Sequence, residues 1–95
     1  MTKEEIIKSL SDGKNDLQRQ FKVHSLALFG SYARGEQRPD SDVDILVDVD
    51  PSIGLDFVTL AVKIEKLLNT HVDLVSKMAV NKKALEIIEP ELIYV

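Results

Sequence analysis

Residues 41–49 read Ser-Asp-Val-Asp-Ile-Leu-Val-Asp-Val, and no other stretch restricts the fold as tightly. Successive side chains of an extended strand point to opposite faces, so Val43, Ile45, Val47 and Val49 turn one way, into a core. Asp42 and Asp44 share the other face at the strand's start. Two carboxylates so placed repel each other unless something cationic lies between them. A divalent cation suits, because Mg²⁺ takes hard oxygen ligands and is usually held by one or two carboxylates plus substrate phosphates. Turn chemistry before a strand accounts for Asp40, Ser41 and Asp42, but not for Asp44 inside an apolar run. Asp48 and Asp50 lie further along that face and run into Pro51. They read as solvated strand-end residues, with Asp48 able to flank a site.

About a dozen residues upstream, the apolar strand Val23–Phe29 breaks at Gly30-Ser31 and runs into Tyr32-Ala33-Arg34-Gly35. This stretch supplies what a nucleotide needs. Gly30 lets the backbone approach a phosphate closely, Ser31 brings a hydroxyl, and N–H groups opening a short helical turn over 31–35 form an anion site. Arg34 either touches a phosphate or pairs with a nearby acid, and Arg38 is a weaker candidate. A third acid, Asp73, sits inside the strand His71–Val75, on the face of Val75. Two strands that each carry an inward acid can place them side by side, and a buried unpaired carboxylate costs several kcal/mol. The alternative for Asp73 is an edge-strand residue facing water. His24 and His71 read as strand-end histidines.

The order Gly-Ser-x-Ala-Arg-Gly then Ser-Asp-x-Asp, here Gly30 to Gly35 and Ser41 to Asp44, closely resembles the signature of the nucleotidyltransferase superfamily. More narrowly, the chain resembles the minimal nucleotidyltransferases (MNT), the small antitoxin partners of HEPN toxins in prokaryotic toxin–antitoxin pairs. The resemblance covers nearly the whole chain. It implies an α/β fold, a small mixed sheet packed with helices, of the DNA-polymerase-β-like kind. It further implies Asp42, Asp44 and Asp73 as catalytic metal ligands for two Mg²⁺ ions. Gly30, Ser31 and Arg34 would then lie on the phosphates of ATP. The expected reaction moves AMP from ATP to a hydroxyl side chain of a HEPN RNase toxin and so silences it.

A chain of 95 residues reads as one domain, 1–95, with a modest core burying ~60–65% of its unfolded surface. It has no room for a second domain to hold a tRNA end, a primer or an antibiotic, which favours a protein acceptor bringing its own surface. The net charge of −4, with both signs interspersed, argues against direct binding of a polynucleotide. The metal, not the protein, would carry positive charge to the triphosphate. With no cysteine there is neither a disulfide framework nor a thiolate metal site. The polar start shows no signal peptide, and no apolar run reaches membrane-spanning length, so a cytoplasmic protein is expected. Two other functions suit the sequence: an antitoxin that blocks its toxin by binding alone, or a small-molecule nucleotidyltransferase working with a separate chain.

The remaining elements follow from periodicity. Thr2 and Glu5 have capping-box spacing, and Ile6, Ile7, Leu10, Leu17 and Phe21 predict a helix over 3–20, weakened at Ser11-Asp12-Gly13. Leu55, Val58, Leu60, Val62, Ile64, Leu67 and Leu68 predict a helix over 55–69, apolar over a wide arc and therefore well covered. Asn81 caps a last helix through Glu89 with Ala84, Leu85 and Ile88 inward, ended by Pro90. Leu92–Val95 is either a short strand or a surface for another chain.

Overall fold

The computed structural model describes residues 1–95. The chain runs α1 (Lys3–Phe21), β1 (Val23–Phe29), α2 (Gly30–Arg34), β2 (Val43–Val49), α3 (Asp56–Leu68), β3 (Val72–Ser76), α4 (Lys82–Ile88) and β4 (Ile93–Tyr94). Short 3-10 turns lie at Pro51–Ile53, Lys77–Ala79 and Glu89–Glu91. The sheet is mixed, in the order β3-β2-β1-β4. β1 pairs antiparallel with β2 and with β4, and β2 pairs parallel with β3 through the α3 crossover. No helix is long and apolar enough to cross a membrane.

The capping box at the start of α1 forms: the Glu5 amide donates to Thr2 Oγ1 at 3.1 Å, and the Thr2 amide donates to Glu5 Oε1 at 2.9 Å. The expected weakness at Ser11-Asp12-Gly13 is absent, and α1 runs unbroken to Phe21. Gly13 serves packing instead. A Cβ built on it would come within 2.7 Å of Leu67 Cδ2, so the missing side chain lets α3 lie close against α1.

One face of the sheet carries Leu26 and Leu28 of β1 with Val43, Ile45 and Val47 of β2, all buried, under Ile6, Leu10 and Leu17 of α1 and Leu60, Ile64 and Leu68 of α3. Burial of each such side chain is worth roughly 1.5–3 kcal/mol, which is what draws the two helices onto this face. The breadth of apolar positions on α3 does not translate into full cover. Only the stripe Leu60, Ile64, Leu68 is enclosed, while Leu55 is 88% and Val58 63% exposed and Val62 and Leu67 are also open. One helix face suffices to meet α1 and the sheet, so the rest of a wide apolar arc is left in solvent. The last helix begins as expected, with Asn81 Oδ1 accepting from the Ala84 amide at 2.8 Å, but its apolar positions are only half-buried. The terminal residues form a strand: Ile93 and Tyr94 pair with Leu28 and Ala27.

Candidate active site

The opposite face of the sheet carries the acids. Registry sets Phe29 of β1, Asp44 of β2 and Asp73 of β3 in one row across three strands. Asp44 and Asp73 are direct partners in the parallel pair, the side-by-side placement expected from the sequence. Asp73 is not inward, however. β3 is an edge strand, and Asp73 is exposed to water at that edge, while Asp44 on the central strand is half-buried. Asp42 stands exposed just before β2.

Asp44 feels this arrangement. Burial holds its carboxyl above the usual range, and the nearby charges of Asp73 and Asp42 push it further the same way. Asp42 leans outward, with Oδ1 3.1 Å from His71 Nδ1. The other ring nitrogen of His71 lies 3.9 Å from Glu65 Oε2, which also accepts from the Val72 amide at 3.1 Å. His71 is thus a neighbour of the acids as well as a strand-end residue. No three acids or imidazoles close into a cage. A closed cage is not what Mg²⁺ requires: it keeps waters and substrate oxygens and takes one or two protein carboxylates. The all-oxygen donor set of Asp42, Asp44 and Asp73, in which burial and crowding raise the Asp44 carboxyl, fits such an ion.

The break between β1 and α2 is built against Asp44. Gly30 has φ +76°, a left-handed backbone that favours glycine. A Cβ on Gly30 would overlap Asp44 Oδ2 and lie 2.9 Å from Asp44 Cγ. The sequence offers Gly30 as room for a phosphate; in the structure it is first of all room for the carboxylate.

The Gly30 amide is already engaged. It donates to Glu91 Oε1 at 2.9 Å, and Glu91 Oε2 accepts from Arg34 Nη1 at 3.0 Å. Arg34 Nε donates to Glu36 Oε1 at 2.6 Å. Of the two options for Arg34, pairing with acids is the one the structure displays. Its guanidinium is held well charged, by Glu36 first and then Glu91. Glu91 is held below the usual carboxylate range, chiefly by the Gly30 amide, despite some burial. Sequence reading missed Glu91. It sits in an acidic stretch beside Pro90, and only the fold brings it to a turn sixty-one positions earlier. Arg38 stays in the link, its amide donating to Ser41 Oγ at 2.8 Å. Asp50 caps the turn at Pro51, accepting from the Ser52 amide at 2.8 Å, and Asp48 pairs in register with Ser25. His24 is exposed near the start of β1.

The carboxylates run from the central strand β2 to the exposed edge strand β3. A surface depression of about 360 Å³ lies elsewhere, lined by Gly13, Asp16, Leu17 and Leu67 with Lys63 and Lys66 between α1 and α3.

Comparison with known proteins agrees with this geometry. Residues 10–95 match the family model described as nucleotidyltransferase domain. The chain is 42% identical over 97 residues to protein adenylyltransferase MntA of Thermococcus cleftensis, covering all of this chain and 97% of that one. Solved structures share the fold, three of them as follows. One, assigned as a minimal nucleotidyltransferase, aligns with TM-score 0.83 at 32% identity over 98% of this chain and 95% of its own. A second is a toxin–antitoxin structure with AMP-PNP, with TM-score 0.65 and 28% identity over 99% of this chain and 72% of its own. The third holds a tri-AMPylated Shewanella oneidensis HEPN toxin in complex with MNT antitoxin. It aligns with TM-score 0.59 at 26% identity, over 97% of this chain and 66% of its own. With the family model matched over residues 10–95 and relatives of 42% and 32% identity aligned over nearly their whole length, this chain belongs to the nucleotidyltransferase domain family and, within it, to the minimal nucleotidyltransferases.

Proposed function

We propose that this chain is a protein adenylyltransferase that transfers AMP from ATP to a hydroxyl side chain of a HEPN toxin and thereby acts as its antitoxin. The observation that carries the reading is the row Asp44–Asp73 with Asp42 beside it, set against the Gly30 turn. Relatives of the same fold are an adenylyltransferase and an antitoxin in complex with an AMPylated HEPN toxin.

In this mechanism the acceptor oxygen attacks the α-phosphorus of ATP. The new oxygen–phosphorus bond forms as the bond to pyrophosphate breaks. Asp42, Asp44 and Asp73 are the residues to hold Mg²⁺, two ions in the full site. Mg²⁺ held there would supply positive charge to offset that of the carboxylates and the triphosphate. The protein's own part is placement. Half-buried Asp44, fixed on the central strand, sets where the α-phosphate lies. Asp73, exposed on the edge strand, faces the incoming acceptor and takes its hydroxyl proton. Ser31 donates its hydroxyl to a phosphate oxygen, and Arg34, held between Glu36 and Glu91, braces the turn that carries it. Holding both reactants in register accounts for much of the rate, since positioning alone can be worth ~7–11 kcal/mol.

Residues 1–95 act here as one catalytic module, and the open sheet edge suits an acceptor as large as a folded protein. A cytoplasmic site of action is part of the same proposal, being where ATP and an RNase toxin meet.

The test is incubation with ATP, Mg²⁺ and a HEPN toxin, read by intact mass. A partner heavier by one or more AMP groups supports adenylyl transfer. A stable complex of unchanged mass would leave an antitoxin that acts by binding alone.

A further inference from the structure

The terminal segment carries a contact that the proposed chemistry does not use. Glu91 bridges two groups of the Gly30–Arg34 turn, accepting from the Gly30 amide at 2.9 Å and from Arg34 Nη1 at 3.0 Å. Phe29, the residue that would cap α2, offers no side-chain hydrogen bond. The first amide of this helix would otherwise lack a partner in a half-buried place. Glu91 supplies the missing cap from the far end of the chain. A charged acceptor is among the stronger choices for such a bond.

The segment behind Glu91 is anchored. Ile93 and Tyr94 pair with Leu28 and Ala27 of β1, just before Gly30. The Val95 amide donates to the Leu26 carbonyl at 3.1 Å, and Lys14 Nζ donates to the Val95 carbonyl at 2.6 Å. Glu91 therefore reaches the turn from the 3-10 turn just before β4, a strand hydrogen-bonded to β1. On the other side of Gly30 lies Asp44, in the space a Cβ would fill. The glycine backbone is gripped between two carboxylates: Asp44 against its Cα and Glu91 on its amide.

We infer that Glu91 is a positioning residue for nucleotidyl transfer, holding the Gly30–Arg34 turn in place beside Asp44 through the Gly30 amide and the Arg34 guanidinium. This rests on the assignment of the active site above. Glu91 touches no reacting atom. It fixes the turn that carries Ser31, and it aims Arg34. Without it the turn samples other positions, so ATP binds less well, whereas ATP once bound meets the same acids.

The experiment measures binding of a fluorescent ATP analogue with Mg²⁺, and steady-state transfer to the HEPN partner, for wild type, Glu91→Ala, Glu91→Gln and the neighbouring control Glu89→Gln. Expected for Glu91→Ala is about tenfold weaker nucleotide binding and a matching rise in KM for ATP, with kcat within a few-fold. Glu91→Gln keeps an oxygen for the Gly30 amide and loses only the charge facing Arg34, so the loss should shrink to about threefold. Glu89→Gln should match wild type. A lower Tm with unchanged binding and KM would make Glu91 merely structural and overturn the inference. Tighter binding would also overturn it, by showing that the carboxylate competes with phosphate. Should Glu91→Ala fail to fold, Glu91→Gln decides alone, and unchanged binding there is the overturning result. A wild type that neither binds nucleotide nor transfers it would remove the active-site assignment itself, and the inference with it.

Discussion

Gly30 and Asp44 claim the same space: the position a Cβ on Gly30 would take is filled by the Asp44 carboxylate, whose Cγ would lie 2.9 Å from it. The two halves of the sequence signature are thus one structural unit. Any side chain at position 30 meets a left-handed backbone as well as a short, half-buried acid that cannot easily turn away. Gly30→Ala should cost ~1–2 kcal/mol from the backbone alone. In a domain this size that lowers Tm by roughly 5–15 °C. Because Asp44 must move, transfer should fall to background even at temperatures where the variant is folded. Circular dichroism melting beside an activity assay checks both.

Gly13→Ala has the opposite expectation, though its Cβ would also be crowded, 2.7 Å from Leu67 Cδ2. Leu67 meets it with the end of a flexible side chain that is 38% exposed and can rotate outward. Alanine gains ~0.5–1 kcal/mol over glycine in a helix interior. Thermal melting should show a Tm unchanged or raised by a few degrees, with activity retained.

Asp44 is held above its ordinary pKa by burial and then by Asp73 and Asp42. The native state therefore binds this proton more tightly than the unfolded chain does. Ionised Asp44 destabilises the fold above its native pKa, and the penalty vanishes once pH falls below its unfolded value. Asp44→Asn should raise Tm at neutral pH in EDTA by a few degrees and make no difference in strong acid. Added Mg²⁺ should raise the Tm of wild type and not of the variant, since an ion bound only by the native state stabilises it.

Glu91 has the reverse sign. Its pKa is lowered, chiefly by the Gly30 amide, so it contributes stability above its unfolded value that is lost as pH falls through its native one. Glu5, lowered by Thr2, and Asp50, lowered by Ser52, act the same way at the surface. Melting of wild type between neutral pH and pH ~3 should show a decline that begins as pH falls into the ordinary carboxylate range and continues below it. The decline should be shallower in Glu91→Gln.

What could be seen in the sequence was what depends on alternation and order. The two-residue period of β2 placed Asp42 and Asp44 together, and the break at Gly30-Ser31 marked the end of β1. Asp73 was assigned to the right strand, but its exposure depends on β3 being the edge, and strand order is not written in any one strand. The wide apolar arc of α3 named its core stripe without revealing how much would stay uncovered, because cover is decided by the neighbours. Gly13 looked like a helix weakness, since nothing local shows Leu67 arriving from α3. Glu91 carries no local signal at all; its partners are Gly30 and Arg34, and only the pairing of β4 with β1 brings them together.

The central claim is that the acids on this face of the sheet carry out transfer, and the most direct measurement is label from α-labelled ATP on the HEPN partner. It compares wild type with Asp44→Asn shown by melting to be folded. The account predicts a labelled partner with wild type and Mg²⁺, and label at background with Asp44→Asn. Full transfer by folded Asp44→Asn would contradict it and place the chemistry elsewhere on the molecule.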